Sequence, residues 1–299
     1  MKTISLFRVL LFCGVFFGNS AWAIDWDLHG SIGEGSSKHK RYVPPISNPL
    51  FNETPFITTE ARILHQYTDI ARSWASTGGV INLYAAQIRV ALTERIGFIA
   101  TKDGYANMNF KSTLADEEDF ANISLGFKYA VHSNPDKNSI LTVGLEYEAP
   151  AGDLETSDIR LQGGGAGFLD LFVTGSKTFG NLGLQSSFGH NFALDGDHDS
   201  SLFHYSATAN YEISRGVFPT LELNGYATTS NGSRTSADYE GIDVINFGST
   251  NSGHVALASF GTRYVVTDHI NIGGSYEVPV TDRVDTVNWR THFDLVITY

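Results

Sequence analysis

The sequence predicts an all-β fold: a closed antiparallel up-and-down transmembrane β-barrel of about twelve strands, built as a 6+6 internal duplication. Three observations predict it. Apolar and polar residues alternate with a period of two along most of the chain, short turns alternate with long loops, and the chain ends on an aromatic, Tyr299, closing an alternating strand. Composition agrees. Charged residues are 17% of 299, against about 25% in soluble proteins, and the aromatic and aliphatic content excludes disorder. Nothing after residue 18 approaches the run of about 18 apolar residues a spanning helix needs. A formal net charge of −12 disfavours nucleic acid as a partner, because phosphates would be repelled.

In chain order, Met1-Lys2 and Arg8, the apolar run Val9 to Phe17, and Ala21-Trp22-Ala23 have the three regions of a secretory leader, expected at 1–23. Its removal takes Lys2 and Arg8 and moves the net charge from −12 to −14. It also takes Cys13, the single cysteine, and with it disulfide and thiolate chemistry. Residues 24–56 form an extension carrying Lys38-His-Lys-Arg41, Pro44-Pro45 and Pro49. It is either a periplasmic tether or a segment that enters the lumen and neutralises its carboxylates.

The barrel is expected over 57–299, with strands near 57–71, 80–92, 95–102, 120–132, 139–149, 167–178, 182–192, 201–213, 217–227, 254–266, 270–279 and 288–299. Ala121, Ile123, Leu125, Phe127 and Tyr129 share one parity, while Asn122, Ser124, Gly126 and Lys128 take the other. This is the pattern of a strand with one apolar face. Short turns such as Gly180-Asn181 and Ser214-Arg-Gly216 carry residues that tight turns require. Long connections at 103–119, 150–166, 193–200, 228–253 and 280–287 lie between them. The 228–253 loop is long enough to bind a partner or to fold inward as a lid. A Greek-key sandwich has no reason to alternate in this way. The apolar parity should meet outer-membrane lipid and the polar parity the lumen. The Tyr299 strand resembles the signal read by barrel-assembly machinery.

Gly126-Phe-Lys-Tyr-Ala-Val131 recurs as Gly261-Thr-Arg-Tyr-Val-Val266, and Tyr147-Glu-Ala-Pro150 as Tyr276-Glu-Val-Pro279. Asp170-Leu-Phe-Val-Thr174 recurs as Asp294-Leu-Val-Ile-Thr298. Each copy lies six strands on, which in a twelve-stranded ring means the opposite wall. Lys128 should therefore face Arg263, Glu148 face Glu277, and Asp170 face Asp294. Arg89, Glu146 and Glu222 are further lumen candidates. Rings of like charge bias permeation by sign, so these residues are candidates for selectivity, or else wall groups satisfied by their neighbours.

Asn48-Pro-Leu-Phe-Asn-Glu-Thr-Pro-Phe-Ile-Thr-Thr-Glu-Ala-Arg62, Arg89-Val-Ala-Leu-Thr-Glu-Arg95, Lys102-Asp-Gly104, Gly126-Phe-Lys-Tyr129 and Tyr147-Glu-Ala-Pro-Ala-Gly152 carry a resemblance. They resemble outer-membrane proteins grouped with the meta-pathway phenol-degradation family, over most of 48–299. The resemblance implies a barrel that admits small, often aromatic, compounds, and it brings no catalytic residues. Tyr276-Glu-Val-Pro279 lacks the glycine that follows the first copy, so the two rims are expected to differ.

The reading is a passive channel or transporter for small solutes in a bacterial outer membrane, with no cofactor. Two alternatives stand beside it. Outer-membrane phospholipases resemble twelve-stranded barrels with a His-x-Ser pair and a nearby Asn, and His204, Ser206 and Asn210 have that form. A closed structural or surface-binding barrel is the other. Asp195, Asp197 and Asp199 place carboxylates at i, i+2 and i+4, a weak Ca²⁺ pattern without the distal glutamate of a calcium loop. No phosphate loop, zinc signature or dinucleotide fingerprint is present.

Overall fold

The computed structural model describes residues 33, 35–36, 38–102, 104–163 and 165–299. The leader expected at 1–23 lies outside the described residues. The strands are β1 Glu60–Ile70, β2 Gly79–Ala91, β3 Ile96–Ala100, β4 Gly104–Phe110, β5 Glu117–Phe120, β6 Ile123–Asn134, β7 Ser139–Ala149, β8 Glu155–Thr156, β9 Ile159–Arg160, β10 Phe168–Phe179, β11 Leu182–Ala193, β12 Ser201–Tyr211, β13 Val217–Ser230, β14 His254–Thr267, β15 Ile270–Pro279 and β16 Val287–Thr298. All but the β8–β9 hairpin belong to one antiparallel sheet, which β1 closes by pairing with both β16 and β2. Strands β3 and β4 both pair with β2, while β6 and β5 pair with β3 and β4 respectively. Each couple fills one wall position, so the ring has twelve.

Alternation becomes geometry here. Leu125, Phe127, Leu145, Leu171, Leu221, Phe260 and Phe293 are exposed on the outer face. On β6, Phe127 is 57% exposed and its neighbour Lys128 only 2%. An apolar outer face on a ring without edges is what lipid demands, because every backbone N–H and C=O must find a partner within the wall. It also fits the apolar band of outer-membrane barrels. Short turns then mark the periplasmic end and long loops the outside.

The expected loop at 103–119 is shorter than the alternation implied. Strand pairing resumes at Gly104 and runs to Phe110, returning through Glu117–Phe120, so only 111–116 is a loop. On β4 the polarity is inverted: Asn107 and Asn109 lie on the outward parity, while Ala106 and Met108 are buried inside. These residues stand at the long-loop end of the wall, where the outside is wet and the inside is capped by loops. A template with apolar residues outward therefore misses them. Between β3 and β4, at Thr101 and Lys102, the ladder lapses, and the Thr101 carbonyl instead accepts from Gln87 Nε2 at 2.7 Å.

The cap itself has an apolar core. Trp74, Leu154, Leu161, Val244, Ile245 and Phe247 from three connections pack on Ile81, Leu83 and Met108 of the wall. The 231–253 loop thus folds over the mouth. Polar seams complete it. Glu240 accepts from the Ser200 hydroxyl and from the amides of Gly248 and Ser249 at 2.8–2.9 Å, and Asp285 accepts from the amides of Glu240 and Gly241.

Burial pushes the Glu240 carboxyl up to about 7, and the nearby Asp285 charge adds to the rise. A raised carboxyl binds its proton more tightly in the packed loop than in the free one. Packing is therefore firmest below the ordinary carboxylate range and weakens as pH climbs through about 7. Amide exchange across 231–253 should lose at least about tenfold of its protection between pH 5 and 8, since a carboxyl that holds its proton tenfold more tightly when packed changes the opening equilibrium by that same factor. Glu240→Gln should flatten that dependence, and an equal pH response in the variant would assign it elsewhere.

Candidate functional site

The lumen is filled by the chain's own N-terminal segment. Residues 38–42 cross the periplasmic mouth. Lys38 pairs with Glu94 at 2.5 Å, His39 Nε2 lies 2.9 Å from the Ser133 hydroxyl, and Arg41 donates to Asn210 at 2.6 Å. The chain then rises and turns at Asn48, a left-handed residue with φ 50°. The Asn48 carbonyl accepts from the amides of Phe51 and Asn52. The segment descends through Glu53 to Thr59 and enters β1. Ile46, Ser47, Asn48 and Ile57 are fully buried. Of the two placements the sequence left open for residues 24–56, the described part thus lies inside the barrel rather than free of it.

Contacts run around the wall. The Ile46 and Ser47 amides donate to Glu222 of β13 at 2.8 and 2.6 Å. Gln87 of β2 donates to the Pro49 carbonyl at 2.7 Å. Thr142 of β7 donates to the Pro55 carbonyl at 2.6 Å, Thr174 of β10 to that of Glu53 at 2.8 Å and Ser187 of β11 to that of Phe51 at 3.2 Å. Small polar residues at lumen positions, which leave room in an empty barrel, here receive the carbonyls of the inserted loop.

The strands that carry Lys128 and Arg263, Glu148 and Glu277, and Asp170 and Asp294 lie six wall positions apart, and each of these residues has a local counter-charge or hydrogen-bond partner. Lys128 pairs with Glu53 at 2.6 Å, and Arg89 with Glu53 at 2.5 Å and Glu60 at 3.3 Å. Arg263 binds Asp294 through both guanidinium NH2 groups, and Arg62 joins them at 2.5 Å. Gly273 makes that cluster possible, since a Cβ there would lie 2.6–2.7 Å from Asp294 and Arg263. Glu148 pairs with Lys102 at 2.5 Å and accepts from Asn122 at 2.7 Å. Thr101 donates to Glu146. Glu277 pairs with Arg290 and His292, and Arg290 reaches on to Asp243 of the lid. Asp170 lies 2.8 Å from His204 Nε2. Charges buried this deeply persist only where paired and hydrogen-bonded. Instead of bare rings of like charge, the lumen holds ion-paired clusters and carboxylates met by hydrogen-bond donors, as Glu146 is by Thr101 and Glu222 by the Ile46 and Ser47 amides.

Several partners escaped the sequence reading. Arg62, Glu60, Arg290 and His292 have lumen parity on β1 and β16 and were visible in principle. Glu53 and Asp243 were not, because nothing in a loop sequence says which wall it will meet.

Fold comparison fits this architecture. No protein-family model matches the sequence, and no curated protein does. Among solved structures, an outer membrane channel of Pseudomonas putida F1 is similar, with a TM-score of 0.61 at 14% identity over 86% of this chain and 100% of that one. The NanC porin covers 81% of this chain and 99% of its own at TM-score 0.49 and 8% identity. The β domain of the Bordetella autotransporter BrkA covers the same shares at TM-score 0.47 and 13% identity. The fold is that of an outer-membrane β-barrel. With the apolar outer face, it places the chain in a bacterial outer membrane.

The remaining candidates are occupied. His204 stacks on Phe51 with ring centroids 4.3 Å apart, Ser206 accepts from Asn48 at 3.2 Å, and Asn210 accepts from Arg41. A serine nucleophile needs a base within hydrogen-bond reach, yet His204 Nε2 is turned to Asp170. Of the three aspartates, Asp195 pairs with His198 and Asp199 with Arg234. Among the described residues no cluster of side chains is arranged to hold a metal ion. Tyr299 is 88% exposed, and its amide donates to Thr59 at the seam where β1 meets β16.

Proposed function

We propose that this chain is a passive outer-membrane channel for small solutes, closed at rest by residues 43–56 from within and by the 231–253 loop from outside. The observation that carries the reading is how the inner segment is held. Among the described residues, no backbone ladder joins residues 40–56 to the wall. Single hydrogen bonds, ion pairs and the packing of Phe51 and Phe56 hold it, each hydrogen bond of net worth about 0.5–3 kcal/mol. Such a segment can leave without unravelling a strand, and it would vacate a polar path inside a twelve-position ring, intermediate between filled eight-stranded and open sixteen-stranded barrels.

Small aromatic compounds remain the solute class we favour. A groove of about 980 Å³ on the membrane face is lined by Ile63, Tyr84, Tyr105, Phe120, Ile123 and Phe293. Ala85, Gly104 and Ala121 border both this groove and an inner cavity of about 30 Å³ beside Lys102. Aromatic solutes partition into such surfaces.

Planar-bilayer recording tests the reading. The full chain should show small, infrequent steps, and a chain lacking 43–56 should conduct at least about tenfold more, in stable steps, if vacating the lumen opens a continuous aqueous path. A deletion variant that inserts, shows heat-modifiable mobility and stays silent would make the barrel structural.

A further inference from the structure

Of the inserted residues 43–59, Glu53 alone brings a carboxylate into the lumen. Its site is built like a receptor for one. Arg89 takes both oxygens side-on, Nε to Oε1 at 3.0 Å and Nη2 to Oε2 at 2.5 Å. Lys128 Nζ donates to Oε1 at 2.6 Å and to the Thr54 carbonyl at 2.8 Å. Planar bidentate recognition by arginine completed by a lysine point charge is how proteins select carboxylates. All three side chains are at least nine-tenths buried.

Charge counting separates this contact from the others the segment makes. Arg89 also pairs with Glu60, which Tyr42 holds with hydrogen bonds of 2.9–3.0 Å. With Glu53 present, two cations meet two carboxylates. When the segment leaves, the wall keeps Arg89, Lys128 and Glu60, one positive charge in excess. Elsewhere the segment offers only neutral groups: carbonyls to Arg62 and Arg263, amides to Glu222.

We infer that Arg89 and Lys128 form a binding site for small monocarboxylates, which Glu53 occupies in place of a solute. This rests on the channel reading above and adds a ligand chemistry to it. A monoanion entering the site restores neutrality as Glu53 leaves, so solute binding and release of the segment are one exchange. The ligand that copies the displaced group most closely is propionate, the glutamate side chain without its backbone. An attached carboxylate competes at an effective concentration in the millimolar range or above, so the full chain should bind propionate weakly.

Calorimetric titration of the detergent-solubilised barrel, at constant ionic strength, tests this. Glu53→Gln keeps the shape of the side chain and removes the competing charge. It should bind propionate at least about tenfold more tightly than the unaltered chain, since the tethered competitor is gone, and propionamide not detectably. Adding Lys128→Met to Glu53→Gln should abolish propionate binding. The chain lacking 43–56 should bind propionate as Glu53→Gln does, which keeps the test open if Glu53→Gln fails to assemble. Equal propionate affinity in the unaltered chain and in either variant, or equal binding of propionamide, would overturn the inference and leave Glu53 a structural latch. If the deletion variant conducts but binds no propionate, the site is wrong and the channel reading stands. If it binds propionate but stays silent, the reverse holds.

Discussion

Arg290→Met is expected to destabilise the barrel by about 3–5 kcal/mol, the cost of removing one partner from a buried charge cluster. Arg290 and Glu277 are completely buried. The guanidinium joins Glu277 of the neighbouring strand to Asp243 of the lid. Around them, His292 Nε2 lies 3.0 Å from Glu277, Asn224 donates to Glu277 at 2.7 Å, and Tyr226 donates to Asp243 at 2.7 Å. Methionine fills much of the volume but leaves two carboxylates facing each other without a cation. They must either take up protons or draw in water, and both routes loosen the lid. The temperature at which the folded band is lost on unboiled gels should fall well below that of the unaltered barrel, and protease should reach 231–253. Arg290→Lys should lie between, since one ammonium replaces a fork that spans both acids. A loss under about 1 kcal/mol, the range of exposed pairs, would mean that solvent already screens the cluster.

How much of this was legible in the sequence follows from what each level of structure requires. Strand positions follow from period-two alternation wherever one side meets lipid and the other water, which is why β6, β7 and β11 fall where the pattern puts them. The pattern fails where that boundary condition changes. Met108 and Ala106 are inward and apolar because loop side chains cover them, so β4 reads as a loop to any template with apolar residues outward. Parity likewise gave the direction of Lys128, Glu148, Asp170, Glu222, Arg263, Glu277 and Asp294. It could not give their partners. Pairing across a lumen depends on what occupies the lumen, and Glu53 lies in a stretch without periodicity. Lys128 and Arg263 lie on strands six wall positions apart, but a loop carrying one carboxylate and a row of carbonyls stands between them and changes their electrostatics.

That inserted loop is the centre of the case, and a single thiol can report it. Ser187 is buried, has lumen parity on β11 and donates to the Phe51 carbonyl. With Cys13 in the expected leader, Ser187→Cys would carry the only thiol of the exported chain. A water-soluble maleimide should modify it at least about a hundredfold faster once residues 43–56 are deleted, because the thiol moves from a packed interior to a wet lumen. Equal labelling rates in the full and shortened chains would contradict a filled barrel.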